Sequence, residues 1–187
     1  DTVAATISSI SLDSTNSELT IQFSESVSGV GNSQLGIDDF VLSISGGAAT
    51  LNAKDYVAEV TEDQTSWMIK FSTTGTANGS EILTVDLASD SSIVDGFGNF
   101  SVSGQINNTV SLLDKIPPQI TFTATDGTDF IADGSVTNDA TLTLNFTASE
   151  VGTGFESDDV TVTNASITNF TASSDTVYSA LLTPTAE

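Results

Sequence analysis

Oxygen chemistry is nearly all that this chain can offer. Its 187 residues carry 25 acidic side chains against three lysines (Lys54, Lys70 and Lys115), for a formal net charge of −22. Arginine, histidine and cysteine are absent. Without histidine or cysteine, neither a Ser-His-Asp or Cys-His nucleophile nor a zinc site of nitrogen and sulfur ligands can be assembled. Three lysines cannot displace the counterions of a nucleic-acid backbone, nor hold an anionic membrane surface. What remains is the chemistry of hard cations, which take about six to eight oxygens from carboxylates, amides and backbone carbonyls. Calcium is the expected ligand.

Four residues are the calcium candidates: Asp95, Asn99, Asp114 and Glu150. The first two belong to Asp95-Gly96-Phe97-Gly98-Asn99, whose Asp-Gly and Gly-Asn steps are also ordinary turn chemistry. A second acidic group, Asp126, Asp129 and Asp133, lacks the alternating acidic spacing and closing glutamate of an EF-hand. The pairs Asp38-Asp39 and Asp158-Asp159 fall at the starts of predicted strands, where adjacent side chains face opposite sides. They therefore do not share a substrate as the two acids of a glycosidase must. Trp67, with Tyr56 and Tyr178, would make a sugar-stacking platform if exposed; beside Met68, Ile69 and Phe71 it is expected in a core instead. No enzymatic activity is expected. Six N-x-S/T sequons, at Asn78, Asn99, Asn107, Asn145, Asn164 and Asn169, are glycosylation candidates. Asn145 alternates with Leu144 and Phe146 and is expected on an outward strand face.

Positioning these side chains falls to β-strands. Leu19–Phe23 and Leu142–Phe146 alternate apolar and polar residues with a period of two. Strands are also predicted at Phe40–Ile44, Val57–Val60, Trp67–Phe71, Ile82–Leu87, Ile120–Thr123, Val160–Val162 and Val177–Leu182. They are short, β-branched or aromatic, and separated by Gly, Asp, Asn and Ser clusters; no stretch keeps a helical period. An apolar fraction of 38% is enough for a folded chain. The fold class is all-β, of sandwich type. No run of 18 apolar residues occurs, and the opening DTVAATISSI is neither basic nor strongly apolar, so no leader or membrane span is expected in this segment.

The chain repeats itself. LTIQFSES at 19–26 matches LTLNFTAS at 142–149, with Glu25 and Glu150 beside them. Ile37–Val41 matches Ser157–Thr161, and Ser45–Asn52 parallels Thr163–Phe170. Asp1-Thr2-Val3-Ala4 resembles Asp114-Lys115-Ile116-Pro117. Two tandem domains follow, 1–114 and 115–187, joined where Pro117-Pro118 forces extended backbone. The second copy has no counterpart of Ile82–Leu87 or of the late Asp95–Asn99 turn, and is expected to lack its last strands; the chain reads as part of a longer polypeptide. A half-built sandwich leaves apolar edges that a neighbouring segment would complete.

These motifs, in this order, resemble the bacterial Ig-like repeats of large surface adhesins and related extracellular proteins. The resemblance is carried by Asp114-Lys115-Ile116-Pro117, Phe23-Ser24-Glu25, Asp38-Asp39-Phe40 and Asp95-Gly96-Phe97-Gly98-Asn99, and it covers nearly the whole chain. Ala4 stands where the family has proline, and Glu150 is displaced by one residue at Ala148, which leaves the ligand positions open. The resemblance implies two tandem Ig-like antiparallel β-sandwiches, the second lacking its last strands in this chain. It also implies an extracellular or cell-surface location and a stalk or spacer role, with calcium at domain junctions. A junction site would combine the late turn (Asp95, Asn99), the linker (Asp114) and an upper loop of the next domain (Glu150). Expected partners are neighbouring Ig-like domains of the same or an adjacent chain, without nucleic acid or membrane insertion. Two alternatives are a subunit of an extracellular filament or surface layer, completed by a neighbour's strand, and a carbohydrate- or protein-binding module.

Overall fold

Alternation along Leu19–Phe23 should put Leu19, Ile21 and Phe23 on one face, and in the computed structural model all three are buried while Thr20 and Gln22 are not. The structure describes residues 1–61 and 63–185, with the backbone alone for Tyr56, Ala58 and Glu59. Contacts divide the chain into unit 1, Asp1–Ile116, and unit 2, Pro117–Glu187.

Unit 1 contains β1 (Ile7–Leu12), β2 (Glu18–Phe23), β3 (Val27–Gly29), β4 (Phe40–Ser45), β5 (Thr50–Glu59), β6 (Ser66–Thr74), β7 (Ile82–Leu87), β8 (Ile93–Asp95) and β9 (Thr109–Ser111). One antiparallel sheet runs β1-β2-β6-β5, a second β4-β7-β9, and β3 pairs with β8 as a short ribbon. Every strand contributes on the same principle: Trp67, Ile69 and Phe71 of β6 face inward, as do Phe40 and Leu42 of β4 and Leu83, Val85 and Leu87 of β7. The two sheets thus share one core. Trp67, with no exposed surface, lies in it as expected, and its indole N–H donates to the Gln64 carbonyl at 3.1 Å.

Unit 2 contains β10 (Ile120–Thr125), β11 (Phe130–Ile131), β12 (Leu142–Ala148), β13 (Ala165–Ala172) and β14 (Val177–Pro184), in one sheet ordered β11-β10-β12-β14-β13. Apart from the added β11 hairpin, this is the order of unit 1's first sheet, with β10, β12, β14 and β13 standing for β1, β2, β6 and β5. The repeat seen in the sequence is therefore a repeat of topology. A smaller core gathers Leu144, Phe146, Tyr178 and Ala180; Phe155 packs edge-to-face on Phe146 and Tyr178, and Phe170 lies tilted on Phe146 and stacked on Tyr178.

The structure corrects three expectations. Val160-Thr161-Val162 forms no ladder, although it alternates like Phe40-Val41-Leu42. The partner of β4 is β7, and among the described residues unit 2 has no strand in that place. The pairs Asp38-Asp39 and Asp158-Asp159 sit not on strands but in single 3-10 turns, Ile37–Asp39 and Ser157–Asp159. In each, the second aspartate draws the backbone out of extended geometry. Asp39 Oδ2 accepts the Gly36 N–H at 2.8 Å, and Asp159 Oδ2 accepts the Glu156 N–H at 2.9 Å. Finally, the predicted strand Val57–Val60 is, up to Glu59, the end of a longer one, β5, which two register shifts carry back to Thr50.

Candidate functional site

Strand direction fixes two poles in unit 1. At the head pole β1 begins and the Ile7 N–H donates to Gln105 Oε1 at 2.7 Å. At the tail pole the β1–β2 turn meets the departing chain: Asn16 Nδ2 donates to the Leu113 carbonyl at 2.8 Å, and Asn16 Oδ1 accepts the Leu113 N–H at 2.9 Å. Asp95 and Asn99 lie at the head pole, where β8 pairs with β3 and Ser101 N–H donates to the Ile93 carbonyl. Asp114 lies at the tail pole, two residues past Leu112, whose N–H donates to the Glu81 carbonyl. Strands of six residues, β1, β2 and β7 among them, run between the poles at about 3.3 Å per residue. Asp95 and Asp114 of one unit therefore do not share an ion.

The structure does bring Asp95 and Asn99 together. Asp95 is buried; its Oδ1 accepts the N–H groups of Phe97 and Asn99 at 2.8 and 2.9 Å, and its Oδ2 accepts Asn99 Nδ2 at 2.7 Å. The Asn99 amide, with these backbone donors, holds the carboxyl below its ordinary range. Its oxygens close a turn. Asp114 Oδ1 likewise accepts the Ile116 N–H at 2.8 Å. Glu150, in unit 2, follows β12 just past Ser149, whose N–H donates to the Gln119 carbonyl where β10 starts. In the second acidic group, Asp126 Oδ1 takes the N–H groups of Thr128 and Asp129 at 2.8 and 2.7 Å, while Asp129 and Asp133 are exposed. Among the described residues, no group of three or more acidic side chains is gathered to hold a metal ion.

The other candidates are placed as follows. Asn78, Asn107, Asn164 and Asn169 are exposed, and the last three adopt left-handed φ of 58°, 54° and 54°. Asn99 is half-buried by its bond to Asp95, and Asn145 is half-buried on the outer face of β12, opposite Leu144 and Phe146. The stacking platform does not form: Trp67 is buried in unit 1, Tyr178 is buried in the aromatic cluster of unit 2, and the Tyr56 side chain lies outside the described residues.

Sequence reasoning missed Glu81. It has no exposed surface and, among the described residues, no cationic partner, and its carboxylate closes the unit 1 tail pole. Oε1 accepts the N–H groups of Ala48 and Ala49 at 2.7 and 2.9 Å, and Oε2 that of Asn78 at 3.0 Å. Burial alone would push the carboxyl up; the backbone donors from Ala49, Ala48 and Asn78 outweigh it and bring it down to about 2. The signal was present in the strand: positions 81, 83, 85 and 87 share one face, so a glutamate there faces the core. Asp13 repeats the device. Partial burial opposes ionisation, but Thr15, Ser17 and Glu18 donate to it and hold it well below the carboxylate range. In a molecule nearly free of helix, carboxylates accept the N–H groups that turns leave over.

Residues 114–187 match the bacterial Ig-like domain family. No curated protein and no solved structure matches the chain. Among the described residues, no helix is long and apolar enough to cross a membrane.

Proposed function

Taking residues 114–187 as a bacterial Ig-like domain, a structural module, we propose that the chain is a spacer segment of a long extracellular or cell-surface adhesin-like protein. The observation that carries the reading is the recurrence of one four-strand sheet order, β1-β2-β6-β5 and β10-β12-β14-β13, in successive units. A module that repeats in this way adds length, and its polar outer faces and carboxylate-closed turns keep each copy soluble. In unit 1 the clamp between Asn16 and Leu113 ties the departing chain to the first hairpin, so tension on the exit pulls against a bonded element. Pulling single molecules by their two ends tests this. A spacer gives separate unfolding events that recur on relaxation and re-extension; a chain that extends without resolvable force peaks overturns the reading.

Calcium enters only as an added stiffener, supported by the charge of −22 and the oxygen-only ligand set. Thermal unfolding in calcium and then in chelator tests that clause by itself. Identical midpoints remove calcium and leave the spacer reading standing. The buried Trp67 weighs against the carbohydrate-binding alternative: its emission is expected to be blue-shifted and unchanged by glycans.

A further inference from the structure

The units agree on one sheet and differ in what lies across it. Phe122 holds the position of Ile7: Phe122 pairs with Phe146 and Ile7 with Phe23, and the two phenylalanines are equivalent by sequence. Yet Ile7 is 1% exposed and Phe122 68%. In unit 1 the space between β4 and β1 is filled, because β7 pairs with β4, β9 pairs with β7, and β9 reaches β1. In unit 2 that space is a groove of about 380 Å³, floored by Ile120, Phe122, Leu144 and Phe146 and walled by Val160 and Val162.

We propose that this groove receives an extended polypeptide strand with apolar side chains at alternate positions, pairing antiparallel with residues 160–162 as β7 pairs with β4. The occupant is a segment outside residues 1–187 with the pattern of Ile82–Leu87. Unit 1 supplies the register: Phe40 opposes Leu87, Leu42 opposes Val85, Ile44 opposes Leu83, and the Ala88 N–H donates to the Asp39 carbonyl at 2.8 Å. The matching positions are Val160, Val162 and the Asp159 carbonyl; Asn164, left-handed at φ 54°, stands with Gly46, at φ 76°, where the edge turns away. Val160 is already extended, with φ −105° and ψ 107°, directly after a 3-10 turn that repeats the one before β4. The incoming side chains then cover Phe122 and Phe146 as Leu83, Val85 and Leu87 help cover Ile7 and Phe23. A strand satisfies both halves of the site, the apolar floor and the backbone of 160–162; a sugar or a lipid chain satisfies one. The inference does not depend on the spacer reading.

The probe is a synthetic polypeptide of residues 80–112 of this chain, holding β7 and β9. It is offered in trans to the full chain and, separately, joined after residue 187 by a flexible Gly-Ser linker that raises its effective concentration to about millimolar. Hydrogen exchange is expected to slow about tenfold or more at residues 160–162 and 120–122 in the joined form. Phe122→Asp and Val160→Asp should abolish that protection, while Thr147→Asp, on the outer face of β12, should leave it. Should either groove variant fail to fold, Val85→Asp in the probe makes the same test with unit 2 intact. Absence of protection in both forms overturns the proposal, as does protection that survives Val85→Asp. A dimer of the chain alone that protects the same amides, and is lost in Phe122→Asp, also overturns it by assigning the face to a second copy.

Discussion

Glu81 shows how a carboxylate can be structural in a chain with almost no cations. Three backbone N–H groups from two loops converge on it, so its removal takes the acceptor from the buried Ala49 donor and from the part-buried donors of Ala48 and Asn78 at once. Glu81→Ala is expected to destabilise unit 1 by about 3 kcal/mol in denaturant unfolding, since each buried donor left unmade costs about 1–3 kcal/mol and part of the site rehydrates. Glu81→Gln keeps the shape but turns an NH₂ toward some of those N–H groups, so it should recover only a fraction of the loss. Gly47 belongs to the same device: at φ 57°, an added Cβ would fall 2.1 Å from Glu81 Oε1, and Gly47→Ala should approach the cost of losing the glutamate. A Gly47→Ala chain as stable as the parent would remove Glu81 from this role. The acidic turn residues have a different character. Asp63 and Asp126 accept bonds from their own loops at the surface, so each organises a turn without closing a core.

Among the elements, β9 depends on contacts outside its own ladder. It has only three residues, and its continuation is held by the two bonds between Asn16 and Leu113. Asn16 is left-handed, at φ 58°, so Asn16→Gly preserves the backbone while deleting the clamp. The expected result is a loss of about 2 kcal/mol, with hydrogen exchange accelerated at residues 109–115 ahead of the rest of unit 1. Uniform acceleration across the unit would mean that the clamp is no local fastener. Elements of this kind also mark what the sequence made legible. Strands with strict alternation and a buried face, such as Leu19–Phe23 and Leu142–Phe146, could be read directly, because burial selects every second residue. The short strands β3, β8, β9 and β11 could not, since three or fewer residues carry no period and exist only through their partners. Val160–Val162 is the converse case, where the pattern is right and no strand forms without a partner. Of the candidate sites, the pairing of Asp95 with Asn99 was legible as one turn motif. The pole-to-pole separation of Asp95 from Asp114 required strand directions that residue types do not give.

For the whole molecule, the charge of −22 sets two opposed responses to acid. Protonation relieves self-repulsion, but it also dismantles carboxylates whose ionised form the fold prefers. Among the described residues, Asp13, Asp63, Glu81, Asp90 and Asp95 of unit 1 are held below their ordinary values, and so is Asp126 of unit 2. A carboxyl whose folded value is depressed contributes stability that is full above its unfolded value, 3.8 for aspartate and 4.5 for glutamate. That contribution fades as the pH falls toward the folded value, because the unfolded chain then binds protons that the folded chain still refuses. The window for Glu81 runs from 4.5 down to about 2. Unit 1 should therefore lose stability more steeply than unit 2 between about pH 5 and 2, whatever their relative stability at neutrality. Trp67 is the only tryptophan and lies in unit 1, so its emission follows that unit alone, while amide exchange in β12 and β14 follows unit 2. Salt separates the two effects. Raising sodium chloride from about 20 to 500 mM shortens the screening length from about 20 Å to about 4 Å, which should raise both thermal midpoints at pH 7 by a few degrees. It should leave the acid slope of unit 1 in place, because hydrogen bonds to buried Glu81 and Asp95 are screened little. A slope that disappears in 500 mM salt would attribute the acid response to net charge and not to the carboxylates that close the turns.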